Sequence, residues 1–284
     1  MTVTIMTVDE LSRLMKKNSN DIAVVDARPR TDFLKGHIPG AIPIAWEQWS
    51  MTPPSAVESI LKAPGYWGTL ADPYQRSFDR KLADLGLYSE KQIVVYADGR
   101  KSKGREGRIA WMLLFFGARN LALLDGGYTS WREAKQKVET SYTQPGRGTF
   151  RLSLSQNRRL TTSSLANRLG KDEFPHLLDT RSQKEFKGRI FWYQPRMGRL
   201  PGSSLIVFDK VFDTDGKHFV CQQTYKSLLP DGFGKGKESG TYCEVGVRAC
   251  TVSLLHEIYT GEVLPVYDGS MMEWSLDPNL PVYK

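Results

Sequence analysis

The stretch Asp26-Ala27-Arg28, followed by Gly36-His37-Ile38-Pro39-Gly40-Ala41, recurs as Asp179-Thr180-Arg181 followed by Gly198-Arg199-Leu200-Pro201-Gly202-Ser203. Each copy opens on a short apolar run, Ile22 to Val25 or His176 to Leu178, that reads as a strand ending in Asp-x-Arg. Further out, Asp98, Gly117, Asp125 and Trp131 are matched at nearly equal spacing by Cys243, Gly261, Asp268 and Trp274. Ile93 to Tyr96 is β-branched strand sequence leading to Asp98, and a weaker segment, Gly240 to Tyr242, leads to Cys243. Apolar helical stretches follow at Ile109 to Phe116 and Ala249 to Tyr259, then strands at Leu121 to Leu124 and Val263 to Tyr267. Asp125-Gly126-Gly127 or Asp268-Gly269-Ser270 then opens a short helix. The second copy carries an insertion near residues 188–197. Strands alternating with helices predict an α/β fold of two tandem domains, each a mainly parallel sheet flanked by helices. The expected division is 1–142, a linker at 143–159 containing Pro145, Gly146 and Gly148, and 160–284.

A length of 284 residues with 40% hydrophobic and 25% charged residues suits two folded domains and argues against disorder or coiled coil. The net charge of +8 divides evenly between the halves, whereas a nucleic-acid surface concentrates its charge; no nucleic-acid partner is expected. No apolar run approaches a membrane span and Met1 to Lys17 does not read as a signal peptide. The expected setting is the cytoplasm, or the periplasm if a leader was trimmed. Cys221, Cys243 and Cys250 form no C-x-x-C pair and the four histidines are scattered, so neither a disulfide framework nor a metal site is expected.

Asp-x-Arg, Gly-His-Ile-Pro-Gly-Ala and Asp-Gly-Gly-x-x-x-Trp together resemble the rhodanese family. Two copies in one chain are similar to the tandem sulfurtransferases that act on thiosulfate or 3-mercaptopyruvate. The resemblance implies transfer of sulfane sulfur from such a small donor to a thiol or cyanide acceptor through a cysteine persulfide, with no cofactor. A non-enzymatic module that binds a protein acceptor or relays sulfur to it is the alternative.

The nucleophile is expected at Cys243, in the loop Cys243-Glu244-Val245-Gly246-Val247-Arg248 between a strand end and a helix start. Ligands gather at the carboxyl ends of such strands. A helix start offers unpaired N–H groups that stabilise a thiolate. Gly246 lets the backbone curl, Arg248 adds a fixed positive charge, and Glu244, Val245 and Val247 complete the expected substrate-binding loop. Four residues separate Cys243 from Arg248, one fewer than in the cysteine phosphatases of similar fold, which favours sulfur over a phosphate ester. The loop departs from the family in having no lysine for a dianion and no serine for a mercaptopyruvate relay. Asp98 is expected at the cysteine position of the first domain, which is therefore expected to be catalytically silent. Its basic loop, 99–108, reads as a solvated surface. Asp26, Arg28, Asp179, Arg181 and His37 read as structural, Cys250 as core and Cys221 as inert. Trp46 and Trp49 are candidates for a cleft wall or the core.

Overall fold

The computed structural model describes residues 2–17, 19–58, 66–190 and 194–284. They form two compact units, each built mainly from one half of the chain. One comprises Met1–Trp46, Asp72–Gln156 and Phe212–Phe219; the other comprises Glu47–Ala71, Asn157–Val211 and Val220–Lys284. Each unit thus holds a segment borrowed from the opposite half. No helix among the described residues is long and apolar enough to cross a membrane.

The first unit contains β1 (Thr2–Met6), β2 (Ile22–Asp26), β3 (Ile42–Pro43), β4 (Gln92–Tyr96) and β5 (Asn120–Leu124), in the order β1-β5-β4-β2-β3. The second contains β6 (Arg159–Leu160), β7 (His176–Asp179), β8 (Ser204–Leu205), β9 (Ser239–Tyr242) and β10 (Val266–Tyr267), in the order β6-β10-β9-β7-β8. All pairs are parallel. Parallel strands covered by helices on both faces need apolar side chains on both, which is why β2, β4 and β5 read as unbroken apolar runs. Their helix Arg105–Phe116 is buried from Glu106 to its end and starts earlier than the expected Ile109. The strand expected from Val263 shrinks to Val266–Tyr267 because Pro265 brings no N–H to the ladder. The insertion expected near 188–197 includes residues 191–193, which lie outside the described residues.

The repeated motifs form one clamp in each unit. Arg28 donates from Nε and Nη2 to the Asp26 carboxylate at 3.0 and 2.6 Å, and from Nη2 to the Gly36 carbonyl at 2.8 Å. Arg181 repeats this with Asp179 at 2.9 and 2.6 Å and with the Gly198 carbonyl at 2.7 Å. Tyr96 and Tyr242 hold the next turn, accepting from the amides of Ile38 at 3.2 Å and Leu200 at 3.1 Å. That turn needs Pro39-Gly40 or Pro201-Gly202: both glycines lie at positive φ, +71° and +59°, as the third residue of a type II turn does. His37 stacks on Phe33 at 3.7 Å and donates to its carbonyl, and Arg199 lies over Phe186 in the same way, so His37 is a packing residue. Trp46 and Trp49 are both buried. Removing one partner of a buried pair such as Arg181–Asp179 typically costs about 3–5 kcal/mol, since the survivor is left charged and dry.

The strand register corrects one expectation. Asp26 pairs with Tyr96 as Asp179 pairs with Tyr242, so the two tyrosines are equivalent and the residue after each is the comparable one. Ala97, not Asp98, therefore stands where Cys243 stands. The carbonyls agree: Ala97 accepts from Tyr128 and Cys243 accepts from Met271. Six residues then separate Ala97 from Gly104, against two between Cys243 and Gly246, and this longer loop displaced the sequence match by one residue.

Counted from the glycine before each helix, Glu106 occupies the place of Arg248. Burial pushes the Glu106 carboxyl up to about 7, against the hydrogen bond from Ser102 and with the charge of Asp98 adding to the rise. A carboxyl raised on folding stabilises the fold fully below its unfolded value, and that stability is lost as pH rises toward 7. The loss is on the order of 3 kcal/mol. Glu106→Gln should therefore gain stability over the native protein between pH 5 and pH 8. Urea denaturation at both pH values measures it, and a constant difference between the two proteins would contradict the assignment.

Candidate active site

Strand order places Cys243. From β7 the chain steps outward to β8, returns to β9 beside β7, then steps the other way to β10. The crevice at the carboxyl ends of β7 and β9 is the reversal point where open α/β sheets bind ligands. β9 was weakly legible because Gly240 serves packing: a Cβ there would lie 2.5 Å from Leu160 Cδ1. Cys243 follows directly, 1% exposed.

The loop beyond it is fixed at both ends. The Cys243 amide donates to Ser270 Oγ at 3.1 Å, and that hydroxyl donates to the Tyr267 carbonyl at 2.7 Å. The carbonyls of Cys243 and Glu244 accept from Met271 at 3.2 Å and Met272 at 3.0 Å. Gly246 caps the helix Val247–Thr260 at φ +75°, and a Cβ would meet the Asp268 Cα at 2.7 Å. Val245 and Val247 are buried. The borrowed segment passes over the loop: a Cβ on Gly68 would stand 1.9 Å from the Val245 carbonyl oxygen, and the Leu70 amide donates to Asp268 Oδ2 at 2.6 Å. The helix start leaves its first N–H groups without intrahelical acceptors, beside the sulfur-bearing residue.

Arg248 is not a solitary cation. It donates to both Glu185 oxygens, from Nη1 at 3.0 Å and Nη2 at 2.6 Å, and Nη2 also reaches Glu244 Oε2 at 3.5 Å. Burial alone would lower the Arg248 pKa, but its bonds to Glu185 and the nearby charges of Cys243, Glu185 and Glu244 raise it. Burial raises the Glu185 carboxyl, but Arg248 and the capping amide and hydroxyl of Ser182 bring it below the usual range. Cys250 is buried and donates to the Gly246 carbonyl at 3.0 Å. Cys221 is exposed, with its thiol pKa lowered by the side chain and amide of Thr224.

Two residues at this site escaped the sequence reading. Glu185 carried a signal, the Ser182-x-x-Glu185 capping box, which locates a helix start but not an arginine partner. Ser270 carried a subtler one: the repeat has Gly127 at its place. Both sit in the left-handed region, at φ +53° and +55°, where only glycine is unstrained. The unit with the cysteine bears a side chain there; the unit without it does not.

A model of the rhodanese-like domain matches residues 7–134 and again 161–277. SseB of Mycobacterium tuberculosis, provisionally named a thiosulfate sulfurtransferase, is 27% identical over 98% of this chain and 96% of its own length. A Pseudomonas aeruginosa protein named a probable 3-mercaptopyruvate sulfurtransferase is 30% identical over 80% of each chain. The crystal structure of SseA from Escherichia coli, a rhodanese fold of the 3-mercaptopyruvate sulfotransferases, has a TM-score of 0.77 and 20% identity. It covers 95% of this chain and 99% of that one, which is a likeness of fold.

Ser270→Ala keeps the backbone strain and loses both hydroxyl bonds, so it should destabilise the protein by about 1–2 kcal/mol. Ser270→Gly relieves the strain as it loses the bonds and should cost measurably less. Chemical denaturation of the two variants side by side is the check, and a Gly variant less stable than the Ala variant would refute it.

Proposed function

The chain belongs to the rhodanese-like family in both of its halves, and from that membership we propose that it moves sulfane sulfur from a small donor, thiosulfate or 3-mercaptopyruvate, to a thiophilic acceptor through a persulfide on Cys243. The observation that carries the proposal is the position of Cys243. It lies directly after the central strand β9, at the head of the helix Val247–Thr260, with its amide held by Ser270 and Arg248 close by.

In the first half-reaction the Cys243 thiolate attacks the outer sulfur of the donor. An S–S bond forms to Cys243 and the bond to the donor remnant breaks. Its electron pair leaves with sulfite from thiosulfate, or with the enolate of pyruvate, which takes up the thiol proton, from 3-mercaptopyruvate. In the second half-reaction a thiolate or cyanide attacks the outer persulfide sulfur and the electron pair returns to Cys243. Glu244, Val245, Gly246, Val247 and Arg248 form the cradle in this reading. In this reading the N–H groups left without intrahelical acceptors at the helix start are the donors for negative charge on sulfur.

The first unit, with Ala97 and Asp98 at the corresponding loop, is silent in this scheme, since neither side chain holds sulfane sulfur. Cys243→Ser should abolish the gain of one sulfur seen by intact mass after incubation with either donor. Cys221→Ser, Cys250→Ser and Asp98→Ala should load as the native protein does. Full loading of Cys243→Ser would remove Cys243 as the carrier, and loss of loading in a folded Asp98→Ala protein would give the first unit a part in the chemistry.

A further inference from the structure

Resting on the sulfur-transfer reading above, we infer that Glu185 and Glu244 act together as a charge filter at the Cys243 loop, selecting a singly charged organic sulfur donor over a dianion such as thiosulfate. The charges at the carboxyl end of this sheet carry the inference. Arg181 pairs with Asp179, and Arg159 pairs with Asp268. Arg248, the cation whose field reaches Cys243, meets two carboxylates, Glu185 at 2.6 Å and Glu244 at 3.5 Å. The one guanidinium is thus engaged by two carboxylates.

The engagement is also built in. Glu185 is 3% exposed, forked on the guanidinium through both oxygens, and anchored by the Ser182 amide at 2.9 Å. A fork geometry of this kind occupies the donors that would otherwise grip an incoming anion. The other unit again supplies a contrast, because the place of Arg248 is taken there by Glu106, and no guanidinium stands at that position.

Coulomb energy scales with the charge of the donor, so the filter has a signature that a structural role lacks. A variant that removes one negative charge and raises efficiency about threefold for a monoanion should raise it about ninefold for a dianion, the square of the first factor. The test compares kcat/KM for 3-mercaptopyruvate and thiosulfate, with cyanide as acceptor, in the native protein, Glu185→Gln and Glu244→Gln. Both variants should favour thiosulfate disproportionately, and the gain should shrink as salt is added. Equal factors for the two donors, or a fall for both, would overturn the inference. Glu244→Gln carries the test alone if the buried Glu185 variant does not fold. If the native protein turns over neither donor, the sulfur-transfer reading fails, and the filter is then judged by alkylation. In a Cys221→Ser background, the rate at Cys243 with anionic iodoacetate relative to neutral iodoacetamide should rise in both variants; an unchanged ratio would overturn it.

Discussion

The hydroxyl of Tyr242, buried beneath the cysteine loop, takes the Leu200 amide at 3.1 Å and meets Ser203 Oγ at 3.0 Å. Around it the Arg181–Asp179 pair ties the end of β7 to the Gly198 carbonyl. These bonds fix where two neighbouring strands stop, and Cys243 is the first residue past one of them. With no freedom at the strand end, the backbone at Cys243 has one direction to leave in. Ser270, Gly246 and Gly68 then only need to match it. The clamp is charged and dry in both units, while the residues of the loops that follow differ.

Duplication provides an internal control for those differences. Ala97, Glu106 and Gly127 in one unit stand against Cys243, Arg248 and Ser270 in the other, on equivalent strands and helices. In one unit the Cys243 amide is held by the Ser270 hydroxyl at a strained positive φ. In the other the place of Arg248 holds a carboxyl that burial drives toward its neutral form, and the place of Ser270 holds the glycine that suits a positive φ.

The alternation of strands and helices, the doubling and the loop after Cys243 were legible because they follow from periodicity and turn chemistry local in the chain. The expected Asp98 match failed because a loop of different length can be aligned by a plausible neighbour, whereas the hydrogen-bonded register of Tyr96 and Tyr242 leaves no choice. Glu185 was opaque for another reason: its partner is 63 residues away, and a pairing at that separation leaves no local pattern. Ser270 looked like an ordinary turn residue until its φ was known.

The borrowed segments alter what a part of this chain is. The Leu70 amide completes Asp268 in the unit that carries the cysteine, and the Phe219 amide completes Asp125 in the other, at 2.9 Å. Each Asp-Gly corner is thus finished by residues encoded in the opposite half of the gene. A cut between Gln156 and Asn157 would take from each unit the segment whose amide donates to its Asp-Gly corner. The two copies are therefore not separable modules in sequence order: each folded unit is completed by chain from the other half.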